Sequence, residues 1–151
     1  MKLPRLLALF IALGGVAFAV ADEPWMTDLE AAKARAAREH KPLLIEFTGS
    51  AWCPPCIALH KNVLSTAEFA AFSRDIVWVA LDYPTLAERA PDKVKANPSL
   101  ARLMVIKEKY EVPGFPTLIY YDAEGKQRVK ITGYGGDTTS VFLAKLNASA
   151  K

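Results

Sequence analysis

The chain's only two cysteines stand two residues apart in Ala51-Trp52-Cys53-Pro54-Pro55-Cys56, between an apolar run and a helical pattern. This stretch constrains the fold more than any other, because it dictates where a helix starts. Cys53 precedes a proline, which steers it away from helical torsions, and proline is most at home in the first turn of a helix, where its missing N–H matters least. Cys53 is therefore expected to be an N-cap. The positive end of the helix dipole then lies at its sulfur, and such a setting lowers a thiol pKa from ~8.5 into the ~3.5–7.5 range. Pro54 and Pro55 remove two amides that would otherwise point at that sulfur, leaving the N–H of Cys56 as the main backbone donor within reach. Cys53 is thus the candidate nucleophile, exposed at the helix start, and Cys56 the candidate resolving thiol, one turn in and more buried.

Two blander uses of the pair stand beside this one. A structural disulfide closing so short a loop contributes little stabilisation. Zinc usually takes four ligands, and only His40 and His60 are available to complete a Cys2His2 set, with His40 in a helix upstream of the strand.

At the N-terminus, Lys2 and Arg5 precede the apolar run Leu6 to Val20, which ends in Ala19-Val20-Ala21 before Asp22. A basic n-region, an apolar core and a small-x-small site predict a secretory signal peptide over residues 1–21 and a single domain over 22–151. The rival is a retained anchor, but the run is shorter than the ~20 residues that usually span a bilayer. Export would place the C-x-x-C where disulfides persist and exchange. Without Lys2 and Arg5 the chain has 17 basic against 16 acidic residues, a net charge of +1 that points to neither nucleic acid nor a strongly charged partner.

Thr27 or Asp28 can cap an alanine-rich helix to about His40, followed by a buried strand Leu43 to Phe47 that carries one acid, Glu46. A helix from Cys56, a short one capped by Ser65 or Thr66, and a strand Ile76 to Leu81 come next. His60, one turn after Cys56, reads as a solvated histidine, with tuning of the thiols as the alternative. Residues 84–98, with three prolines and several charges, read as a polar irregular insertion before a helix Leu100 to Tyr110. A hairpin of 117–122 with 127–132 and a last helix capped by Asp137 complete the pattern.

From about Lys41 to Leu146 the sequence resembles the thioredoxin superfamily, through an apolar strand, W-C-x-x-C and Val112-Pro113-Gly114-Phe115-Pro116-Thr117 far downstream. In form it is similar to secreted bacterial thioredoxin-like proteins whose strand ends in F-T-G-S before W-C, and to the C-terminal periplasmic domain of the thiol:disulfide interchange protein DsbD. The resemblance implies a thioredoxin fold: an α/β domain with a central mixed sheet flanked by helices, here with an N-terminal helical extension and an insertion after the second central strand. It further implies a cis bond before Pro116, substrate binding by Trp52, Phe115 and Pro116, and Glu46 as the buried acid that takes a proton from the resolving cysteine. Glu46 departs from the family pattern in being longer than the usual Asp and one residue further from Cys53; the alternative is an ordinary acid on an exposed strand position.

The function so implied is an exported thiol:disulfide oxidoreductase with protein disulfides or dithiols as clients. It needs no cofactor but does need an upstream redox partner, for which a membrane electron-relay protein is one candidate; a monomer is expected. Two prolines between the sulfurs restrict the reduced loop and remove amides that would stabilise a thiolate, so a reducing role is expected over an oxidising one. The competing reading is a secreted module that keeps the fold and holds a client at the Phe115-Pro116 groove and the 84–98 insertion without turnover.

Overall fold

The computed structural model describes residues 25–148, so the signal-peptide reading of residues 1–21 falls outside the described residues. The elements run α1 (Leu29–Glu39), β1 (Leu43–Thr48), α2 (Pro54–Leu59, continued by a π-helical turn, His60–Leu64), α3 (Ala67–Ser73), β2 (Val77–Asp82), α4 (Pro91–Ala96), α5 (Pro98–Lys109), β3 (Thr117–Tyr121), β4 (Gln127–Thr132) and α6 (Thr139–Ala148). Four strands form one sheet in the order β2-β1-β3-β4, with β1 parallel to β2 and the other pairings antiparallel. This is the thioredoxin fold with helices on both faces.

The central strand β1 is buried along its whole length, as its apolar run requires of a strand covered on both sides. Its side chains alternate between two cores. Leu43, Ile45 and Phe47 join Val77, Val79, Leu81 and Ile119 beneath α1, with Leu103 and Met104 of α5 packed against them. Leu44 joins Trp78, Leu118 and Tyr120 against Leu59, Val63, Phe69 and Phe142 on the opposite face. Each fully buried Leu or Phe contributes ~1.5–3 kcal/mol, so the sheet position of β1 is over-determined. Glu46 and Thr48 share the face of Leu44, and this places an acid on the α2 side of the sheet.

The helix starts follow local chemistry. Asp28 caps α1 by accepting the Ala31 N–H at 2.8 Å, and Thr66 caps α3 by accepting that of Phe69 at 3.2 Å. Three expectations need correction, and one contact was not foreseen. The last helix begins at Thr139: the Thr138 carbonyl accepts the Phe142 N–H at 2.9 Å and its hydroxyl the Val141 N–H at 3.4 Å, while Asp137 pairs with Lys145 instead. The insertion is not irregular, because Pro91 and Pro98 sit in the first turns of α4 and α5, where proline suits a helix, and a 3-10 turn spans Ala87–Arg89. The helix α5 accordingly starts at Pro98, capped by Asn97. Finally, Met26 bridges the free edge of β2, its N–H donating to the Trp78 carbonyl at 2.7 Å and its carbonyl accepting from Ala80 at 2.8 Å.

Candidate functional site: a disulfide at a helix start over a buried acid

The loop from β1 to α2 is set by Gly49. Its carbonyl accepts the N–H groups of Trp52 at 3.2 Å and Cys53 at 2.9 Å, which turns the chain. A Cβ on Gly49 would lie 2.5 Å from the Trp52 ring, so glycine is what lets the indole approach the turn this closely. The Trp52 Nε1–H then donates to the Tyr83 carbonyl at 2.6 Å, tying this loop to the end of β2.

Cys53 has extended torsions (φ −95°, ψ 104°) and is the N-cap of α2, with Pro54 and Pro55 opening the helix. Cys53 and Cys56 are joined in a disulfide, their Cα atoms 5.2 Å apart. Cys56 is the more buried, as expected, but Cys53 is not exposed in this oxidised form: the residues are 4% and 1% accessible. The Phe115–Pro116 bond is cis. Phe115 packs edge to face on Trp52 with ring centroids 5.9 Å apart and lies 4.9 Å from the Tyr83 ring, so the loop before β3 is clasped to the redox loop through aromatic side chains.

Glu46 is 2% exposed, which excludes the alternative of an ordinary acid on an exposed strand position. It lines a cavity of about 410 Å³ together with Cys56, Trp25, His60, Trp78 and Asp82. Burial pushes its carboxyl up to about 7; hydrogen bonds from Trp78 and Thr48 oppose this, and the nearby charge of Asp82 adds to it. The Trp78 Nε1–H donates to the Glu46 carboxylate at 3.2 Å. His60 is exposed as expected, yet its ring lies in the wall of this cavity, 5.8 Å from that of Trp25, with Ser65 Oγ 3.0 Å from its Nδ1.

Sequence reasoning missed three contributors. Gly49 was legible only as a loop residue, Tyr83 only as the residue after a strand, and Arg89 only as one charge in a polar stretch. Arg89 in fact stands over both the Trp52 and Phe115 rings, 5.3 and 5.4 Å from their centroids.

A family model described as thioredoxin-like matches residues 24–123. The chain is 31% identical over 134 residues to a Chlamydia pneumoniae protein named disulfide bond reductase DsbH, which covers 88% of this chain and 76% of the relative. It superposes on a solved DsbH oxidoreductase with a TM-score of 0.64 at 28% identity, covering 83% of this chain and 82% of that one. The oxidised C-terminal domain of Neisseria meningitidis DsbD shares the fold, at a TM-score of 0.57 and 16% identity over 83% of this chain and 98% of the domain. The chain belongs to the thioredoxin-like family. With a C-x-x-C disulfide capping the helix after the central strand, it is a thiol:disulfide oxidoreductase by class.

Proposed function

We propose that this chain is an exported disulfide reductase for protein clients, with Cys53 as nucleophile, Cys56 as resolving thiol and Glu46 as proton acceptor. The observation that carries the reading is the Cys53–Cys56 pair at the N-cap of α2, with Cys56 sharing a cavity with a buried acid. In the reduced protein the Cys53 thiolate attacks a client disulfide; one client sulfur leaves and takes up a proton, and a mixed disulfide remains. Glu46 takes the proton of Cys56, whose thiolate attacks the Cys53 sulfur and releases the second client thiol. The client gains two electrons and two protons, and Cys53–Cys56 is left oxidised. An upstream dithiol must then reduce it. A carboxyl titrating near 7 suits this task, because it can both accept and release a proton at neutral pH.

Trp52, Phe115 and the cis Pro116 form the client platform, with Trp52 and Phe115 half-buried beside the disulfide. The reducing direction is supported by the two prolines between the sulfurs and by the similarity to a protein named disulfide bond reductase. Export is supported by the pattern of residues 1–21; among the described residues no helix is long and apolar enough to cross a membrane. Insulin reduction with dithiothreitol as electron source tests the activity: wild type should accelerate precipitation of the B chain and Cys53→Ser should not. Equal rates with and without wild-type protein would leave a client-holding module in its place.

A further inference from the structure

The insertion between β2 and α5 sets a cation against the two aromatic residues that precede Cys53 and Pro116. Arg89 ends the 3-10 turn Ala87–Arg89, and its guanidinium lies over the rings of Trp52, the residue before Cys53, and Phe115, the residue before cis Pro116. Folding leaves that guanidinium largely unused. Its Nε–H donates to the Thr85 carbonyl at 3.4 Å, and no carboxylate pairs with it among the described residues. The adjacent acid, Glu88, is turned to Thr85, accepting from its N–H at 2.9 Å and its hydroxyl at 2.6 Å. Asp82, at the end of β2, is held by the N–H of Ser50 at 2.8 Å and its hydroxyl at 2.5 Å.

The ends of the Arg89 fork thus remain as a planar set of donors of the kind that binds carboxylates. Stacking against two rings holds the group in place before a client arrives, which lowers the ordering cost of binding. Lys107, 5.9 Å from the Phe115 centroid, adds a charge of the same sign. Leu86, three residues before Arg89 and 78% exposed, offers an apolar contact next to it.

We infer that Arg89 is the carboxylate-reading element of the client site, selecting protein disulfides whose cysteines are flanked by Asp or Glu. The inference rests on the oxidoreductase reading and names its client class. On that platform a client cysteine joined to Cys53 would have its neighbours beside Trp52 and Phe115, whose ring centroids lie 5.3 and 5.4 Å from the guanidinium carbon. The test compares two disulfide-bonded peptides identical except for Asp or Lys beside each cysteine, reading kcat/KM for reduction.

Wild type should favour the acidic peptide by about three- to fivefold at low salt, the upper range of a partly exposed ion pair, with the preference shrinking as salt is added. Arg89→Leu should bring the ratio close to one, Arg89→Glu should invert it, and Arg89→Lys, which keeps the charge but not the planar fork, should retain only part of it. Equal loss toward both peptides in Arg89→Glu would mean that the side chain only props the two rings, and would overturn the inference. So would a wild-type enzyme that reduces both peptides equally. A wild-type protein that reduces neither peptide defeats the oxidoreductase reading itself, and this inference with it.

Discussion

Replacing Glu46 by glutamine should stabilise the oxidised protein at alkaline pH and leave it unchanged in acid. Glutamine keeps an acceptor for the Trp78 N–H, nearly the same volume and no charge. In the folded protein the Glu46 carboxyl titrates at about 7 rather than at its ordinary 4.5, because burial disfavours the anion. Below pH 4.5 the acid is protonated whether the chain is folded or not, so it exerts no penalty there. Between pH 4.5 and 7 the unfolded chain ionises while the folded one still holds its proton, and stability falls as pH rises. Above 7 the penalty is constant.

At 1.36 kcal/mol per pH unit, the interval from 4.5 to about 7 corresponds to ~3 kcal/mol. The side chain is 2% exposed, so solvent screening does not discount that figure. Urea unfolding of oxidised wild type and Glu46→Gln from pH 4 to 8.5 gives the difference directly, since titrating groups common to both proteins cancel. The expected curve is near zero at pH 4, rises through pH 4.5–7 and levels off at ~3 kcal/mol in favour of glutamine. A difference that stays flat across this range would refute the argument, as would one favouring wild type at pH 8.

Cys56→Ser should accumulate mixed disulfides with client proteins, whereas Cys53→Ser should trap none; acid-quenched, alkylated samples on non-reducing gels decide it, and the reverse pattern would exchange the two roles. Gly49→Ala should destabilise the fold by ~1–3 kcal/mol and shift Trp52 fluorescence, because the new Cβ meets the indole at 2.5 Å and the Trp52 bond to the Tyr83 carbonyl must give. Equilibration against glutathione buffers should place the Cys53–Cys56 potential nearer the ~−270 mV of thioredoxin than the ~−120 mV of DsbA, and a value above about −150 mV would contradict the argument from the two prolines. Intact mass of the exported protein should give Asp22 as its first residue; retention of Met1 would indicate an anchored segment.

How much was legible in the sequence follows from the range of the interactions involved. Cys53, Pro54, Pro55 and Cys56 announce a helix start because capping and proline chemistry act within one turn, and the structure has that helix beginning at Pro54. The apolar run of β1, the hairpin of β3 with β4 and a cap at Thr27 or Asp28 were readable for the same reason. The 84–98 segment was misjudged because proline there was read as a breaker, whereas at the first position of a helix it is a starter, and only neighbouring turns reveal which role it takes.

The burial of Glu46 was implied by the family resemblance, but local reasoning left it open. Its position in a strand says nothing of which face is covered, and the answer came from the parallel register that sets Leu44 opposite Trp78, whose indole N–H reaches Glu46. Thirty-two residues separate that donor from its acceptor, and the burial that lifts the carboxyl toward 7 is a property of the assembled layers rather than of the strand. The same holds for Arg89, whose charge the sequence displayed but whose place over Trp52 and Phe115 exists only once two distant loops meet. Local chemistry determined which atoms can react; the packing of helices on both faces of the sheet decided what surrounds them, because desolvation and aromatic contact depend on neighbours that are remote along the chain.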